Sequence, residues 1–288
     1  MRLRTIGLQL LLVSGNCLPL IAAAPSSEIP FKLYGGFAII VRGAIANQEN
    51  LNFLVDTGAV PSVVHQRLAQ RLNLRGAAEE ISVVNKSRSV ERVSLPGLRL
   101  GEIEFPSASA HVVDLAEIEL RLGVRLDAIV GLDVLGGRDF TIDYHLRRIR
   151  IGVAEASGEP IPFEIQTEAG APYLVLRMDL NSQPLHLLLD TGTDSLTLFA
   201  DRIRNRVPRL LAFGASKDMG AGGQYSVQRV LVSLARVGTI EHRDLRAALV
   251  TSSASASGDF DGLFGPASMG IARIAFDFSH HTLYVGVR

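Results

Sequence analysis

The sequence repeats itself at an interval of 134 residues, and this internal repeat constrains the fold more than any other feature. Three pairs of segments keep the interval: residues 53–58 with 187–192, residues 127–131 with 261–265, and residues 140–144 with 274–278. The first pair carries Asp-Thr-Gly, and the second pair ends in two apolar residues and a glycine. Three matches in one register indicate a duplicated unit. We therefore predict two tandem lobes, residues 25–155 and 156–288, joined at a short polar stretch.

The pattern within each half is mainly that of a β protein. Short apolar or alternating runs lie between turn residues, and each half ends in a predicted hairpin. Two short helices are predicted, over residues 64–74 and 199–207, with Pro208 ending the second. No segment has the pattern of a βαβ unit, which argues against a parallel α/β sheet. The predicted fold class is therefore mainly β with short helices.

Residues 1–24 have the pattern of a secretory signal peptide. Arg2 and Arg4 precede an apolar stretch over residues 6–21, which is followed by three alanines. An uncleaved membrane anchor is the alternative, although the polar residues and the proline make this stretch a poor permanent span. Cys17, the only cysteine, lies inside this segment. We expect a secreted or periplasmic protein whose mature chain has no disulfide and no cysteine nucleophile.

The charged residues and histidines give no reason to expect nucleic acid, a membrane surface or a metal as partner. Twenty-nine basic residues balance twenty-nine acidic ones, and the arginines of residues 202–209 are expected to form a solvated helix face. Residues 280–281, both histidines, lie at a predicted turn with no third ligand at a useful spacing, so we expect no metal and no cofactor. His65 is expected on the exposed side of the first helix, and Asp133 at the start of another.

The repeated Asp-Thr-Gly triplets carry the chemistry that the sequence predicts. Two carboxylates about 3 Å apart share one proton, so that the charged member activates a water and the protonated member protonates a carbonyl oxygen. Asp56 and Asp190 are the predicted pair. The residues that follow each aspartate are expected to support it, the threonines by bonding across the lobe interface and the glycines by allowing a tight turn. They are Thr57, Gly58, Thr191 and Gly192.

These two loops resemble the active-site loops of aspartic proteases. Residues 129–131 and 263–265 resemble the apolar-apolar-Gly segment that lies behind each aspartate in that fold, and residues 127–144 are similar to bacterial retropepsin-like aspartyl proteases. The resemblance covers nearly the whole mature chain. It implies two retropepsin-like lobes fused in one chain, arranged as in pepsin with the active site between them. It also implies an aspartic endopeptidase that acts on peptide or protein substrates as a monomer.

The resemblance places a flap hairpin after the second Asp-Thr-Gly, at Gly220, Ala221, Gly222 and Gly223. The first half has no glycine-rich counterpart, since residues 84–89, which occupy that place, contain no glycine. This departure leaves the pair of aspartates intact but breaks the symmetry expected of the flaps. Two rival functions remain open, a non-catalytic peptide-binding protein that keeps the fold, and an enzyme that processes only its own precursor or one dedicated partner.

One difference between the two loops predicts which aspartate carries the charge. Thr193 follows the second Asp-Thr-Gly, whereas Ala59 follows the first. A hydroxyl that donates to Asp190 would lower the pKa of that carboxyl, because hydrogen bonds to a carboxylate favour its charged form. We therefore predict a charged Asp190 and a protonated Asp56.

Overall fold

The computed structural model describes residues 27–83, 86–152, 154–168, 171–207, 210–220, 223–251 and 258–287. The signal-peptide prediction for residues 1–24 lies outside these described residues, as does the predicted helix stop at Pro208. No helix within the described ranges is long and apolar enough to cross a membrane.

Strands dominate the first half of the chain. They are β1 (Ser27–Tyr34), β2 (Ala38–Ile45), β3 (Gln48–Val55), β4 (Ser62–His65), β5 (Ala77–Val83), β6 (Lys86–Leu95), β7 (Leu98–Leu100), β8 (Ile103–Phe105), β9 (Ala108–Val113), β10 (Ala128–Val130), β11 (Phe140–Asp143) and β12 (Arg148–Ile151). The helices are short: α1 (Gln66–Arg71), α2 (Ala116–Leu122) and α3 (Leu132–Leu135).

The second half repeats this composition. Its strands are β13 (Glu159–Glu168), β14 (Ala171–Leu180), β15 (Gln183–Leu189), β16 (Leu196–Phe199), β17 (Leu211–Gly220), β18 (Gly223–Val237), β19 (Ile240–Val250), β20 (Gly262–Phe264), β21 (Ile271–Asp277) and β22 (Thr282–Val287). One helix, α4 (Ala200–Ile203), and a 3-10 turn (Pro266–Met269) accompany them. The prediction of a mainly β fold is confirmed.

The strands form three sheets. Strands β1 to β10 make the first-half sheet, and β13 to β20 make the second-half sheet. Six antiparallel strands from both halves make a third, which we call the shared sheet, in the order β1–β12–β11–β21–β22–β13. Strands β1 and β13 each run from the shared sheet into the sheet of their own half.

The strand that precedes each predicted catalytic aspartate is central in its sheet. Strand β3 lies between antiparallel β2 and parallel β10, and β15 lies between antiparallel β14 and parallel β20. Both strands end in three buried apolar residues, 53–55 and 187–189, as expected of strands covered on both faces. The sequence pattern did not predict these parallel pairs, because the partner strands lie more than 70 residues apart without a βαβ crossover.

Two buried aspartates that recur at the repeat interval join these strands by equivalent bonds. The side chain of Asp127 accepts a hydrogen bond from the Asn52 N–H at 3.0 Å, and that of Asp261 accepts one from the His186 N–H at 2.9 Å. Arg71 forms an ion pair with Asp127, and Arg206 forms one with Asp261. Part of the predicted basic face of residues 202–209 is therefore engaged in an ion pair. A buried carboxylate needs such partners, which assigns Asp127 and Asp261 to structure.

The shared sheet places two stacked phenylalanines where the halves meet. The rings of Phe140 and Phe276 are both fully buried, and their centroids lie 4.2 Å apart.

Phe276→Ala is expected to lower the free energy of unfolding by about 3–5 kcal/mol, because it removes a buried ring and leaves a cavity. Phe213→Ala, at a ring that is 51% exposed, is the control. Equal losses in urea unfolding of the two variants would contradict this account.

Both predicted helices are shorter than expected. Val64 and His65 belong to strand β4 and not to α1, and α4 ends at Ile203. The apolar side chains that suggested helical spacing also suit a buried strand, as a pattern of this length cannot separate the two. Helix α2 was not predicted, although Gly123 provides its left-handed C-terminal cap, with φ of 68°.

Candidate active site

The two Asp-Thr-Gly loops lie at equivalent places at the ends of β3 and β15. The N–H of Asp56 donates to the carbonyl oxygen of Val130, and that of Asp190 donates to the carbonyl oxygen of Phe264, both at 3.0 Å. The predicted apolar-apolar-Gly segments, which are β10 and β20 with their following glycines, therefore hold the two loops from behind. A Cβ on Gly265 would lie 2.5 Å from the carbonyl oxygen of Thr193, so the glycine is required for this close packing.

Four hydrogen bonds cross between the loops through their threonines. The Thr57 hydroxyl donates to the carbonyl oxygen of Leu189 at 2.7 Å, and the Thr191 hydroxyl donates to that of Val55 at 3.1 Å. Each threonine N–H also donates to the other threonine's hydroxyl oxygen at 3.1 Å. Both side chains are buried, so these bonds are shielded from water and fix the distance between the loops.

The glycine of each triplet lies against the aspartate of the other triplet. A Cβ on Gly58 would lie 2.7 Å from Cγ of Asp190, and a Cβ on Gly192 would lie 2.5 Å from Cγ of Asp56. Neither glycine has a positive φ. The sequence-based explanation, a tight turn, is therefore incomplete: the glycines are needed because the opposite carboxyl group occupies the space of a side chain. The N–H of each glycine donates to its own aspartate at 2.8 Å.

Burial raises the pKa of both aspartates, but unequally. The pKa of Asp190 is raised well above its ordinary value of 3.8 by desolvation, by the charge of Asp56 and by the hydrogen bond between the two carboxyls. Desolvation also raises the pKa of Asp56, while hydrogen bonds from Asp190 and from the N–H groups of Gly58, Ala59 and Gly192 oppose that rise. The geometry therefore favours a protonated Asp190 that donates to a charged Asp56.

The prediction that Thr193 keeps Asp190 charged is wrong. Within the described residues, the Thr193 hydroxyl makes no hydrogen bond to Asp190, whose pKa responds to Asp56 and Gly192 instead. Ala59, which was expected to offer Asp56 nothing, contributes through its backbone N–H. Comparing side chains alone could not reveal this difference, because the donors that decide it belong to the backbone.

Thr193→Ala is accordingly expected to leave the lower apparent pKa of the kcat/KM profile unchanged. If the hydroxyl did stabilise a charged Asp190, its loss would raise that pKa by roughly one to two units. The measurement is a pair of pH–rate profiles on one chromogenic peptide. A clear rise of the acid limb in the variant would restore the role that the sequence suggested for this hydroxyl.

The two carboxyl groups lie in a cleft of about 440 Å³ between the halves. Hairpin β5–β6 of the first half and hairpin β17–β18 of the second both contribute to it, through residues such as Ile81 and Gly220. The first-half hairpin thus occupies the place of a flap although it lacks glycines. Of the predicted flap residues, Gly220 lines the cleft and Gly223 begins β18, while Ala221 and Gly222 lie outside the described residues.

The walls of the cleft are mostly apolar, and the two halves differ. The first half contributes an aliphatic cluster that includes Leu54, Ile118 and Ile129. The second half contributes an aromatic cluster, with Phe199 and Phe260 tilted against each other at 6.0 Å. Such walls suit apolar side chains of a bound ligand. The sequence alone did not identify the residues of these walls, because they come from five or more segments that are far apart along the chain.

His65 is not on an exposed helix face, as was expected. Its side chain is buried, and its Nδ1 accepts a hydrogen bond from the Arg67 N–H at 3.2 Å, which caps α1. Burial and the charge of Arg67 lower the pKa of His65. Arg67 in turn holds Glu119 of α2, with one contact of 3.0 Å. This network anchors α2, which forms part of the cleft wall.

The other predicted structural residues are placed as follows. Asp133 lies in the first turn of α3, and its carboxylate accepts hydrogen bonds from the N–H and hydroxyl of Ser62 at 2.8 and 2.7 Å. His280 is exposed and pairs with Asp277 at the last hairpin.

Among the residues that the structure describes, no group of three or more histidine, cysteine or acidic side chains could hold a metal ion.

The first half of the chain matches a known protein family. Residues 41–134 match the model of the family described as "Aspartyl protease". The matched segment contains Asp56 and its Thr and Gly, and it ends in α3, behind the loop. The mainly β architecture is consistent with the fold of that family. No curated protein matches the chain.

Proposed function

We propose that this protein is an aspartic endopeptidase in which Asp56 and Asp190 form the catalytic pair. The observation that supports it best is the contact of each triplet glycine with the opposite aspartate, which puts the two carboxyls against each other at the base of one cleft. Two lobes fused in tandem, residues 25–155 and 156–288, would each supply one member of the pair. Equivalent bonds at Asp127 and Asp261 support this duplication.

The proposed reaction follows from the two protonation states. The charged Asp56 removes a proton from a water molecule, whose oxygen attacks the peptide carbonyl carbon, while Asp190 gives its proton to the carbonyl oxygen. The tetrahedral intermediate then returns the hydroxyl proton to Asp190 as the carbonyl re-forms. Asp56 delivers its proton to the leaving amine nitrogen, and the C–N bond breaks. This cycle restores both groups and uses no cofactor.

The proposed substrate is an extended peptide that lies in the cleft beneath the two hairpins. Extended chains suit a cleft lined by strands, since backbone bonds contribute affinity and alternate side chains enter separate pockets. Apolar residues are expected beside the cleaved bond, because Leu54 and Leu188 line the cleft and each lies two residues before one of the aspartates. Since both aspartates belong to one chain, a monomer is expected to suffice, and the rate should rise linearly with protein concentration.

Export to the periplasm or the medium is part of the proposal. Its basis is the pattern of residues 1–24, a charged start, an apolar stretch and three alanines. The N-terminal sequence of the protein recovered from a cell fraction tests it. Recovery of the intact N-terminus in the membrane fraction would favour the uncleaved anchor.

A non-catalytic peptide-binding protein is the second candidate, because an apolar cleft can bind peptides without cleaving them. The decisive experiment digests a broad peptide library with the purified mature protein, with and without a statine-type inhibitor, and with and without EDTA. Cleavage that the inhibitor abolishes and EDTA spares is the expected result. Binding of peptides without any cleavage would leave the rival, and loss of activity in EDTA that zinc restores would exclude the mechanism.

A further inference from the structure

The charged side chains in the cleft are distributed unevenly, and one cation among them has no partner in the part of the chain that the structure describes. Arg121 of α2 lines the cleft and makes no hydrogen bond or ion pair with any other described residue. Arg92 also lines the cleft, but its guanidinium lies 3.6 Å from the carboxylate of Glu79. The same carboxylate contacts His111 at 3.2 Å. Arg92 thus already has an anionic partner, whereas Arg121 remains available to a ligand.

The position of Arg121 is set by the rest of α2. Two residues of the same helix pack against the aliphatic cluster of the cleft wall: Ile118, one turn before Arg121, and Leu122, directly after it. Glu119 anchors the helix to Arg67 on the opposite side. A helix held at two places fixes the backbone position of Arg121 at the edge of the cleft, and its side chain is exposed there.

A hydroxyl donor lines the same cleft from the other half of the protein. Tyr225 of β18 is buried in the aromatic cluster and packs near Gly220 at the tip of its hairpin. Burial and the charges of Asp218 and Asp190 raise the pKa of Tyr225, so its hydroxyl keeps its proton, while the positive charges of Arg121 and Arg229 oppose that rise. Within the described residues this hydroxyl has no hydrogen-bond partner.

We propose that Arg121 and Tyr225 form a carboxylate-binding subsite, so that the cleft selects peptides with a carboxylate near the bound segment. Among the described residues neither the guanidinium nor the phenol has an acceptor. The two donors belong to opposite halves of the cleft, and a carboxylate can accept from both. This inference rests on the proposed function for its peptide substrate. It adds a specificity that neither the Asp-Thr-Gly loops nor the apolar walls provide.

The test compares peptides that differ only in one group. A series carrying Glu, Gln or Lys at each position in turn, with the C-terminus as acid or amide, distinguishes a side-chain carboxylate from a terminal one. Binding is measured by fluorescence anisotropy on the full mature chain with Asp190→Asn, so that cleavage does not interfere. At one position or at the terminus, the carboxylate peptide is expected to bind about tenfold more tightly than its neutral counterpart.

The variants of the subsite are expected to remove this preference selectively. Arg121→Gln should bring the ratio of affinities close to one, Arg121→Lys should retain part of it, and Tyr225→Phe should reduce it a few-fold, because one neutral donor is lost. Arg125→Gln, an exposed arginine outside the cleft, is the matched control and should keep the full ratio. Raised salt should also weaken the preference.

Four results would overturn the proposal: no peptide binding at all, no preference in the parent, a preference that survives Arg121→Gln, or tighter binding of the Lys peptides. The last would show that Glu80 and Asp194, which also line the cleft, determine its selectivity. Failure of the proposed function would look different, since the carboxylate preference would be present while the unsubstituted protein cleaved none of the same peptides.

Discussion

Asp56→Asn and Asp190→Asn are each expected to lower kcat by at least about a hundredfold, the low end of the effect of losing general acid–base catalysis. An amide can neither take the proton of the attacking water nor supply one to the carbonyl oxygen. The double variant should be little worse than either single variant, because the two carboxyls act as a unit. Steady-state kinetics on a peptide cleaved by the parent protein measures all three.

Asp56→Asn and Asp190→Asn should not lower the free energy of unfolding. A loss of activity in these variants therefore reports lost chemistry and not an unfolded protein. The pKa of Asp190 is raised above 3.8 in the folded state, so the folded protein holds a proton that the unfolded chain releases as the pH rises. The stability contributed by this group is therefore present below about pH 3.9 and is lost as the pH rises towards the folded pKa. Asp190→Asn should abolish this part of the pH dependence in urea unfolding.

Asp244→Asn provides a matched control for the amide change. Asp244 is exposed and has a φ of 53°, a conformation that asparagine accepts readily. Its kcat and stability should equal those of the parent. An Asp56→Asn or Asp190→Asn variant that kept nearly full activity would exclude the proposed pair, whatever the stability measurements showed.

Gly192→Ala is expected to lower kcat by about ten- to a hundredfold while leaving the fold largely intact. The new methyl group would lie 2.5 Å from Cγ of Asp56, a separation that atoms cannot occupy, so the carboxyl must move away from Asp190. A displacement of about 1 Å at a reacting group can cost about a hundredfold in rate. Because Gly192 has no positive φ, alanine adds no backbone strain, and the effect should lie in kcat more than in the free energy of unfolding.

Gly214→Ala is the control for the glycine change. Gly214 has open space around the position of a Cβ and no positive φ, so its replacement should alter neither kcat nor stability. Gly58→Ala should resemble Gly192→Ala, since its Cβ would lie 2.7 Å from Cγ of Asp190. Activity close to that of the parent in both loop variants would show that the carboxyls do not need their present separation.

The sequence predicted most of what is local. The mainly β fold follows from short apolar runs between turn residues, and the strand before each aspartate follows from three consecutive apolar residues. The helices were predicted less well, because β4 and α1 form one apolar stretch in which strand and helix spacing overlap. The burial of His65 could not be predicted, since Glu119, whose carboxylate lies 3.9 Å from its ring, is far away along the chain.

The repeat in the sequence indicates which two aspartates belong together, since Asp-Thr-Gly recurs at one constant interval. The arrangement of the two carboxyl groups is visible only in three dimensions. The proton is assigned to Asp190 by backbone N–H groups of both loops, and the need for Gly58 and Gly192 comes from the opposite carboxyl group. The presence of Arg121 and Tyr225 in one cleft arises in the same way. Each depends on distances of a few ångströms between segments far apart in the chain, and a one-dimensional pattern carries no such distance.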